Sequence, residues 1–561
     1  MKIEIIKQQQ MKQYINIFFS LFFALSLFSS CESLLEVSPE EVLLEEDYLG
    51  DDKLDARSAL FGVLSQMQEI TGQYIVLGEM RADLVDVTIS AEDEIRQINM
   101  HNITSNNSYI NPLILFSIIN NCNFALNGID TKANSGVLQD DYASIMRIRT
   151  WAQIQILINY GKLPYISKPI SSTRDLKENY PLLTFEQGID QLIQNLESIS
   201  DIENVTKYQN SLGYNIYNMI PNNDLLLGDL YLWKGDYVAA ATYYKAFLDE
   251  NVIGGGQRYN LSSHAVNTEL SGGNYSVSTG WPGIFVSEAV QTNEVINYTA
   301  FSDQFRQPNN SFQVLTDQMK PSALAILNWD SQFKSYLGET YPGGEGDNRT
   351  KLFNNAVPQN PSSYTDSGDA ARIAKYNYEY FIWNRAARVY LRYAEAINYA
   401  GHPVQALAVI NGIFNSTTIP TITNSPFLNN LEDYLNFATG KYYIANTSGV
   451  LTSGNRGIRG RVNMEPLSVD SNLDEAATIK AVGKIILNES ALELAFEGTR
   501  WEDLMRFANR EGDPSIVADA VASKFASAGD TATATTVQQK LMNPENWFLP
   551  LIIPSNFIPK N

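Results

Sequence analysis

Residues 227–244 read Leu-Gly-Asp-Leu-Tyr-Leu-Trp-Lys-Gly-Asp-Tyr-Val-Ala-Ala-Ala-Thr-Tyr-Tyr, two short apolar-periodic runs joined at Gly235. Small Gly228 and Ala240 let two antiparallel helices approach closely, and Gly235 permits the turn between them. Tyr231 and Tyr244 are expected to fill the gap. One such pair cannot bury its own apolar face, so the pattern predicts further pairs stacked against it. The fold class this implies is mainly α.

Gly228, Tyr231, Gly235, Ala240 and Tyr244 lie at offsets 0, 3, 7, 12 and 16, which resemble those of a tetratricopeptide repeat. Asp224 stands where that repeat has Trp, and Val252 where it has Pro. A weaker copy starts near Ala394, with Gly401 and Ala406 at offsets 7 and 12. The recognisable pairs thus cover residues 224–250 and 388–414. Helical periodicity also begins near Leu54 and runs through Leu60, Val63, Leu64 and Met67. Further helices are expected over Leu113–Ile129, over Tyr142–Tyr160 with Gly161 as the stop, and over Thr184–Ile199, where Thr184 and Gln187 form a capping-box pattern. Between these blocks lie long irregular stretches, 254–283, 338–368 and 416–472. The first holds seven glycines in thirty residues. Loops of that length in a folded chain are usually functional, and their Tyr and Trp content argues against disorder.

The N-terminus has Lys2, Lys7 and Lys12, an apolar run from Tyr14 to Phe28, and Ser29-Ser30-Cys31. A positive start, an apolar core shorter than the ~20 residues of a membrane span, and small residues before the cut describe an export signal. Residues 1–30 are therefore expected to be removed, whether the start is Met1 or Met11. The stretch before Cys31 resembles a bacterial lipoprotein box, in which that Cys is lipidated. The resemblance implies an outer-membrane lipid anchor through acylated Cys31, with residues 31–52 as a tether and 53–561 as the helical body.

The formal net charge is −22, and removal of a leader holding three Lys against Glu4 makes the remainder two units more negative. So acidic a surface repels phosphate backbones, which excludes nucleic acid as a natural partner. With Cys31 acylated only Cys122 is left, so no intrachain disulfide forms. Cys122 lies in an apolar run and reads as a core thiol. His101, His264 and His402 are scattered, and no metal-site or nucleophile-elbow pattern is present. Asp347, Asp366 and Asp369 lack calcium-loop spacing. No cofactor, metal or catalytic residue is expected.

Glu489, Glu493 and Glu497 recur at i, i+4 and i+8, which puts three carboxylates on one helix face. Like charges so spaced demand cationic partners, with Arg500, Arg506 or an Arg of the 385–392 stretch as candidates. An ion-pair network accounts for the spacing better than a catalytic pair does. Sugars lie their apolar faces on Trp and Tyr and bond polar side chains at their edges. By that criterion Trp281, with Tyr275 and Asn274, is the leading candidate binding cluster. Arg456, Arg459 and Arg461 read as a local basic spot in a turn-rich loop.

Residues 485–506, IILNESALELAFEGTRWEDLMR, resemble the signature helix of the SusD/RagB family of Bacteroidetes outer-membrane lipoproteins. The closing Trp547–Pro554, with Phe557 and Asn561, is similar to that family's Pro-x-x-x-Pro ending. Arg392–Ala396 with Gly401, Ala406 and Asn411, and Tyr142–Pro164 with Arg147, Arg149, Tyr160 and Gly161, resemble two further segments of it. Ser490 stands where the family has Arg, and Tyr109 and Leu113 lie where it has a Trp. The resemblance implies a SusD-like α-helical domain with degenerate tetratricopeptide-type pairs and long binding loops. It implies a non-enzymatic cell-surface protein that binds a glycan and hands it to a SusC-like TonB-dependent transporter. Peptide capture and a ligand-free scaffold for protein partners are the alternatives. Glu79–Asp83 looks like the family segment upstream of its ligand pocket, so the resemblance also makes Arg96, Asn102 and Asn106 candidate ligand contacts.

Overall fold

The computed structural model describes residues 53–132, 138–202, 215–249, 293–301, 317–336, 339–349, 380–412 and 457–551. It also describes residues 259, 261, 281, 283–286, 315, 373–376, 432–435, 443–445, 451–454, 553 and 556–560. The leader, Cys31, the tether, Asn274 and Tyr275 lie outside the described residues.

The fold is mainly α. Helix α1 (Lys53–Ile75) runs directly into a π-turn, Val76–Met80. After α2 (Asp93–Asn99) and α3 (Leu113–Gly128), α4 (Gln139–Tyr160) ends where predicted, at Gly161 with φ 72°. Helix α5 (Phe185–Glu197) opens on the reciprocal Thr184–Gln187 capping box. The pair read from the opening stretch is α6 (Asn223–Lys234) and α7 (Tyr237–Leu248), with Gly235 at φ 82° between them. A Cβ on Gly228 would lie 2.6 Å from Tyr244 Cε1, which is why the position holds glycine. Tyr244 does fill the gap. Tyr231 does not: it stacks on Tyr243 with ring centroids 5.5 Å apart, and its hydroxyl donates to Glu197 at the end of α5.

Past α8 (Ala323–Asp330), α9 (Ala386–Tyr399) and α10 (Pro403–Asn411) form the second expected pair. Helices α11 (Glu475–Glu493), α12 (Arg500–Glu511), α13 (Ser515–Ser527) and α14 (Thr531–Leu541) complete the helical body. Helices α13 and α14 pack as a pair without any repeat spacing in the sequence.

Short strands tie distant segments together. β1 (Val85–Val87) pairs antiparallel with β5 (Met319–Pro321), and β4 (Val295–Ala300) with β8 (Tyr380–Arg385). β2 (Lys162–Pro164) and β11 (Phe557–Pro559) flank β3 (Tyr180–Thr184), antiparallel and parallel respectively. Two further antiparallel pairs involve stretches that read as irregular: β7 (Glu339–Glu345), which pairs with β6 (Phe333–Tyr336) just ahead of its stretch, and β9 (Tyr443–Ala445) with β10 (Leu451–Gly454).

One large apolar cluster gathers α1, α3, α4 and α5, with Cys122 buried in it, and a second gathers α7 and α9–α14. They meet where the π-turn presses on the segment after α11. A Cβ on Gly78 would fall 2.0 Å from the Gly498 carbonyl oxygen. Gly498 and Phe496 take left-handed φ values of 84° and 72°. That backbone is held by buried Glu79, whose Oε1 accepts the N–H groups of Gly498 (2.7 Å) and Thr499 (3.1 Å) and whose Oε2 accepts that of Phe496 (3.3 Å). Burial pushes the Glu79 carboxyl up to about 8, against the pull of those N–H groups.

The predicted carboxylate row is an interior ion network. Glu489 and Glu493 are the helical members, and Glu497 lies beyond the end of α11. Arg349 bonds Asp347, Glu489 and Glu493 at 2.6, 2.7 and 2.9 Å, while Arg385 bonds Glu294, Glu493 and Glu497 at 3.0, 2.8 and 2.9 Å. Arg459 reaches Glu489, Arg461 reaches Glu294 and Glu493, and Lys375 reaches Glu497. Of the expected partners Arg385 is present, whereas Arg500 pairs with Asp83 and Arg506 with Glu395 and Asp503. Arg459 and Arg461 are buried, so the reading of a loop basic spot is corrected for both. Asp347 is likewise buried, on Arg349.

A second network joins Asp229, Arg392, Glu502, Asp503, Arg506, Glu395 and Arg510 across α6, α9 and α12. Arg506 and Arg510 hold the buried Glu395 carboxyl down at about 2 despite the opposing effect of burial.

Gly78→Ala is expected to destabilise the protein by about 3 kcal/mol or more, because backbone rather than a movable side chain blocks the new methyl; urea denaturation measures this. Glu395→Gln leaves Arg506 and Arg510 without their carboxylate and is expected to cost about 3 kcal/mol near pH 6. The folded pKa lies below the free value near 4.5. The wild-type advantage is therefore present above that pH and shrinks as pH falls towards about 2. Denaturation of both proteins at pH 6 and pH 3 checks the convergence; an undiminished gap would contradict it.

Candidate binding cleft

The loop from Met100 to Pro112 leaves the end of α2 through His101, a non-glycine residue at φ 52°. His101 is buried beside Trp501, and its Nε2–H donates to the Arg81 carbonyl at 2.8 Å. Burial, reinforced by nearby Lys524, pushes its pKa down to about 3, so the ring is neutral. Farther along, buried Asn107 accepts the Tyr109 N–H and donates to the Glu94 carbonyl, and Gln73 donates to the carbonyls of Tyr109 and Asn111. The loop is thereby fixed to α1 and α2.

Opposite it, the strand-like segment after β2 is strapped to α3. Asn120 accepts the Ile170 N–H at 2.8 Å and donates to the Ile170 carbonyl at 3.2 Å, while Asn123 donates to the carbonyls of Ile166 and Lys168. The C-terminal segment closes the third side. Leu549 N–H donates to Asn159, and Phe557 stacks on Tyr180 with centroids 5.3 Å apart.

These three walls enclose a cleft of about 910 Å³, large for a ligand site. Ile110, Leu113, Phe116 and Ile119 line one side, Pro164, Ile166 and Ile170 another, and Pro550, Ile553 and Phe557 the third. Ser105, Asn106 and Asn111 stand at its polar rim. Leu113 and Leu176, 68% and 55% exposed, present apolar surface to it. Among the described residues that line the cleft none is charged.

The sequence candidates are dispersed. Asn106 lies on the cleft. Asn102 is exposed on the same loop but does not line it. The Arg96 guanidinium is taken up by the carbonyls of Ala91, Thr88 and Ile89 at 3.0, 3.0 and 2.7 Å, and so holds the turn before α2. Trp281 requires a correction. It is fully buried, its Nε1–H donates to Glu493 Oε1 at 3.0 Å, and Lys375 sits 5.2 Å from its ring centroid. An indole enclosed in the ion network has no open face for a sugar.

The cleft-lining residues Phe116, Asn111, Phe557 and Ile553 are not among the binding candidates that the sequence offers. The available signal was α3 itself, whose opening run of Leu113-Ile-Leu-Phe116 is apolar on every side, more than a single buried stripe needs. Among the described residues, no group of three or more His, Cys, Asp or Glu side chains is placed to hold a metal ion.

Solved structures share this architecture. A SusD superfamily protein from Bacteroides vulgatus aligns with a TM-score of 0.58 at 14% identity, over 89% of this chain and 95% of that one. A SusD-like carbohydrate-binding protein from Bacteroides fragilis aligns with a TM-score of 0.53 at 14% identity, over 83% and 88%. At such identities the common property is the fold. A SusD-like protein of Formosa agariphila is 21% identical over 477 residues, which cover 75% of this chain and 87% of that protein. The model of the SusD family matches residues 200–561, more than half of the chain, and the protein belongs to that family.

Proposed function

We propose that the protein is a cell-surface lipoprotein of the outer membrane, anchored through acylated Cys31, that captures glycan nutrients and delivers them to a SusC-like TonB-dependent transporter. The observation that carries the reading is the 910 Å³ cleft, bounded by α3, by the segments at 164–170 and 550–557, and by a loop pinned to α1 and α2. A site pre-formed in this way spends little binding energy on ordering itself. Its described lining supplies amide, hydroxyl and apolar groups, which suit recognition of a neutral ligand rather than acid–base turnover. A structural relative described as carbohydrate-binding adds support. The aliphatic walls favour a second reading, peptide capture, in which Leu or Ile side chains occupy the cleft.

The test uses residues 31–561 carrying Cys31→Ser, offered glycans and peptides. Asn106→Trp, which projects an indole from the rim into the cleft, is expected to weaken glycan binding at least tenfold while leaving the melting temperature within about 2 °C. Full affinity in that variant would remove the cleft from the mechanism, and binding of peptides alone would favour the second reading. Trp281→Ala is expected to act on stability instead, by about 3–5 kcal/mol, because it empties a buried ring volume and removes a donor from Glu493. For the anchor, fatty-acid labelling of the exported protein is expected in wild type and absent in Cys31→Ser, which would also leave the membrane fraction. Equal labelling of the two would refute the anchor.

A further inference from the structure

Charged residues make up 18% of the chain and its formal net charge is −22, yet the described lining of the cleft contains no Asp, Glu, Lys or Arg. The described lining itself offers an anionic ligand no cation against the field of an acidic protein; the exposed Lys168, Arg174 and Lys177 belong to the neighbouring segment and lie outside that lining. The polar groups in the cleft carry a second restriction, because most are already used to hold its walls. Asn120 is committed to Ile170, and Ser117 Oγ accepts from Gln66. At the rim, the side-chain oxygens of Asn106 and Asn111 accept from Thr104 and from the Leu113 N–H, while among the described residues no acceptor takes their amide nitrogens. Free hydrogen-bonding capacity is thus concentrated at the rim, and the floor between Ile119 and Ile166 is aliphatic. A sugar hydroxyl pressed onto that floor would lose water without gaining a partner, whereas a methyl or acetyl group there would gain apolar burial.

We infer, resting on the glycan-capture reading above, that the cleft selects an uncharged oligosaccharide bearing apolar substituents, O-acetyl groups above all. The substituent occupies the aliphatic floor, and ring hydroxyls bond the amides of Asn106 and Asn111.

The test is a glycan array in which xylan, mannan and galactan oligosaccharides each appear unsubstituted, O-acetylated and uronate-substituted, probed with residues 31–561 carrying Cys31→Ser. O-acetylated members are expected to bind at least tenfold more tightly than their unsubstituted counterparts, and uronate members at least tenfold more weakly. Leu176→Ser, at an exposed position of the lining, is expected to reduce the acetyl preference below threefold. Leu113→Lys is expected to bring uronate members within threefold of neutral ones. Unsubstituted or uronate members that bind as tightly as acetylated ones would overturn the selectivity and leave glycan capture standing. An array with no binder, or binding of apolar peptides alone, would overturn the capture reading and this inference with it.

Discussion

Arg349, Arg385, Arg459, Arg461 and Lys375 converge on Glu489, Glu493 and Glu497, and most of these side chains are out of contact with water. A carboxylate buried without a cation would be strongly unfavourable, so each partner has to arrive for the end of α11 to fold as it does. Of the partners, Arg349, Arg459 and Arg461 come from stretches that read as irregular, the last two on a short helical turn, Gly457–Arg461, while Arg385 ends β8 and Lys375 lies in the turn Ala374–Tyr376. Regions that read as irregular sequence are thereby fixed to the helical body. This is a constraint of pairing more than a source of net stability, since buried ion pairs roughly offset their own desolvation.

The segment that follows α11 carries the constraint onward. Phe496 and Gly498 turn the chain through left-handed conformations, Glu79 satisfies their N–H groups, and the bare Cα of Gly78 lets the two backbones touch. The π-turn at Gly78 continues α1, and the same region carries Arg81, whose carbonyl receives His101. A path of direct contacts therefore runs from the ion network to the loop that forms the rim of the cleft. The ion pairs of these networks lie in the interior, while the described lining of the cleft carries no charged side chain.

Local features of the sequence were legible where local physics decides them. The Thr184–Gln187 box, the Gly161 and Gly235 stops and the Gly228–Tyr244 contact involve residues within about one or two helical turns or one helix hairpin, and all are present. Family segments near α9 and α11 were legible for the same reason, being short runs with fixed neighbours. The candidate site was not legible to that degree. Of the described candidates, Asn106 reached the cleft, because it sits in a loop whose position follows from α2 and α3. Trp281 resembled a sugar platform by composition, yet its surroundings are Glu493 and Lys375, more than ninety residues away in the chain.

Sequence alone determined the helical class, the helix pairs, the family and the need for cations opposite three carboxylates. These follow from periodicity, small-residue spacing and like-charge repulsion, which act over a few residues. Tertiary structure alone decided which arginines answer those carboxylates, that the tryptophan is interior, and that α3, the Ile166–Ile170 segment and the C-terminal strand meet around one cleft. Burial and charge pairing are properties of segments brought together from across the chain, and no window of local sequence contains them.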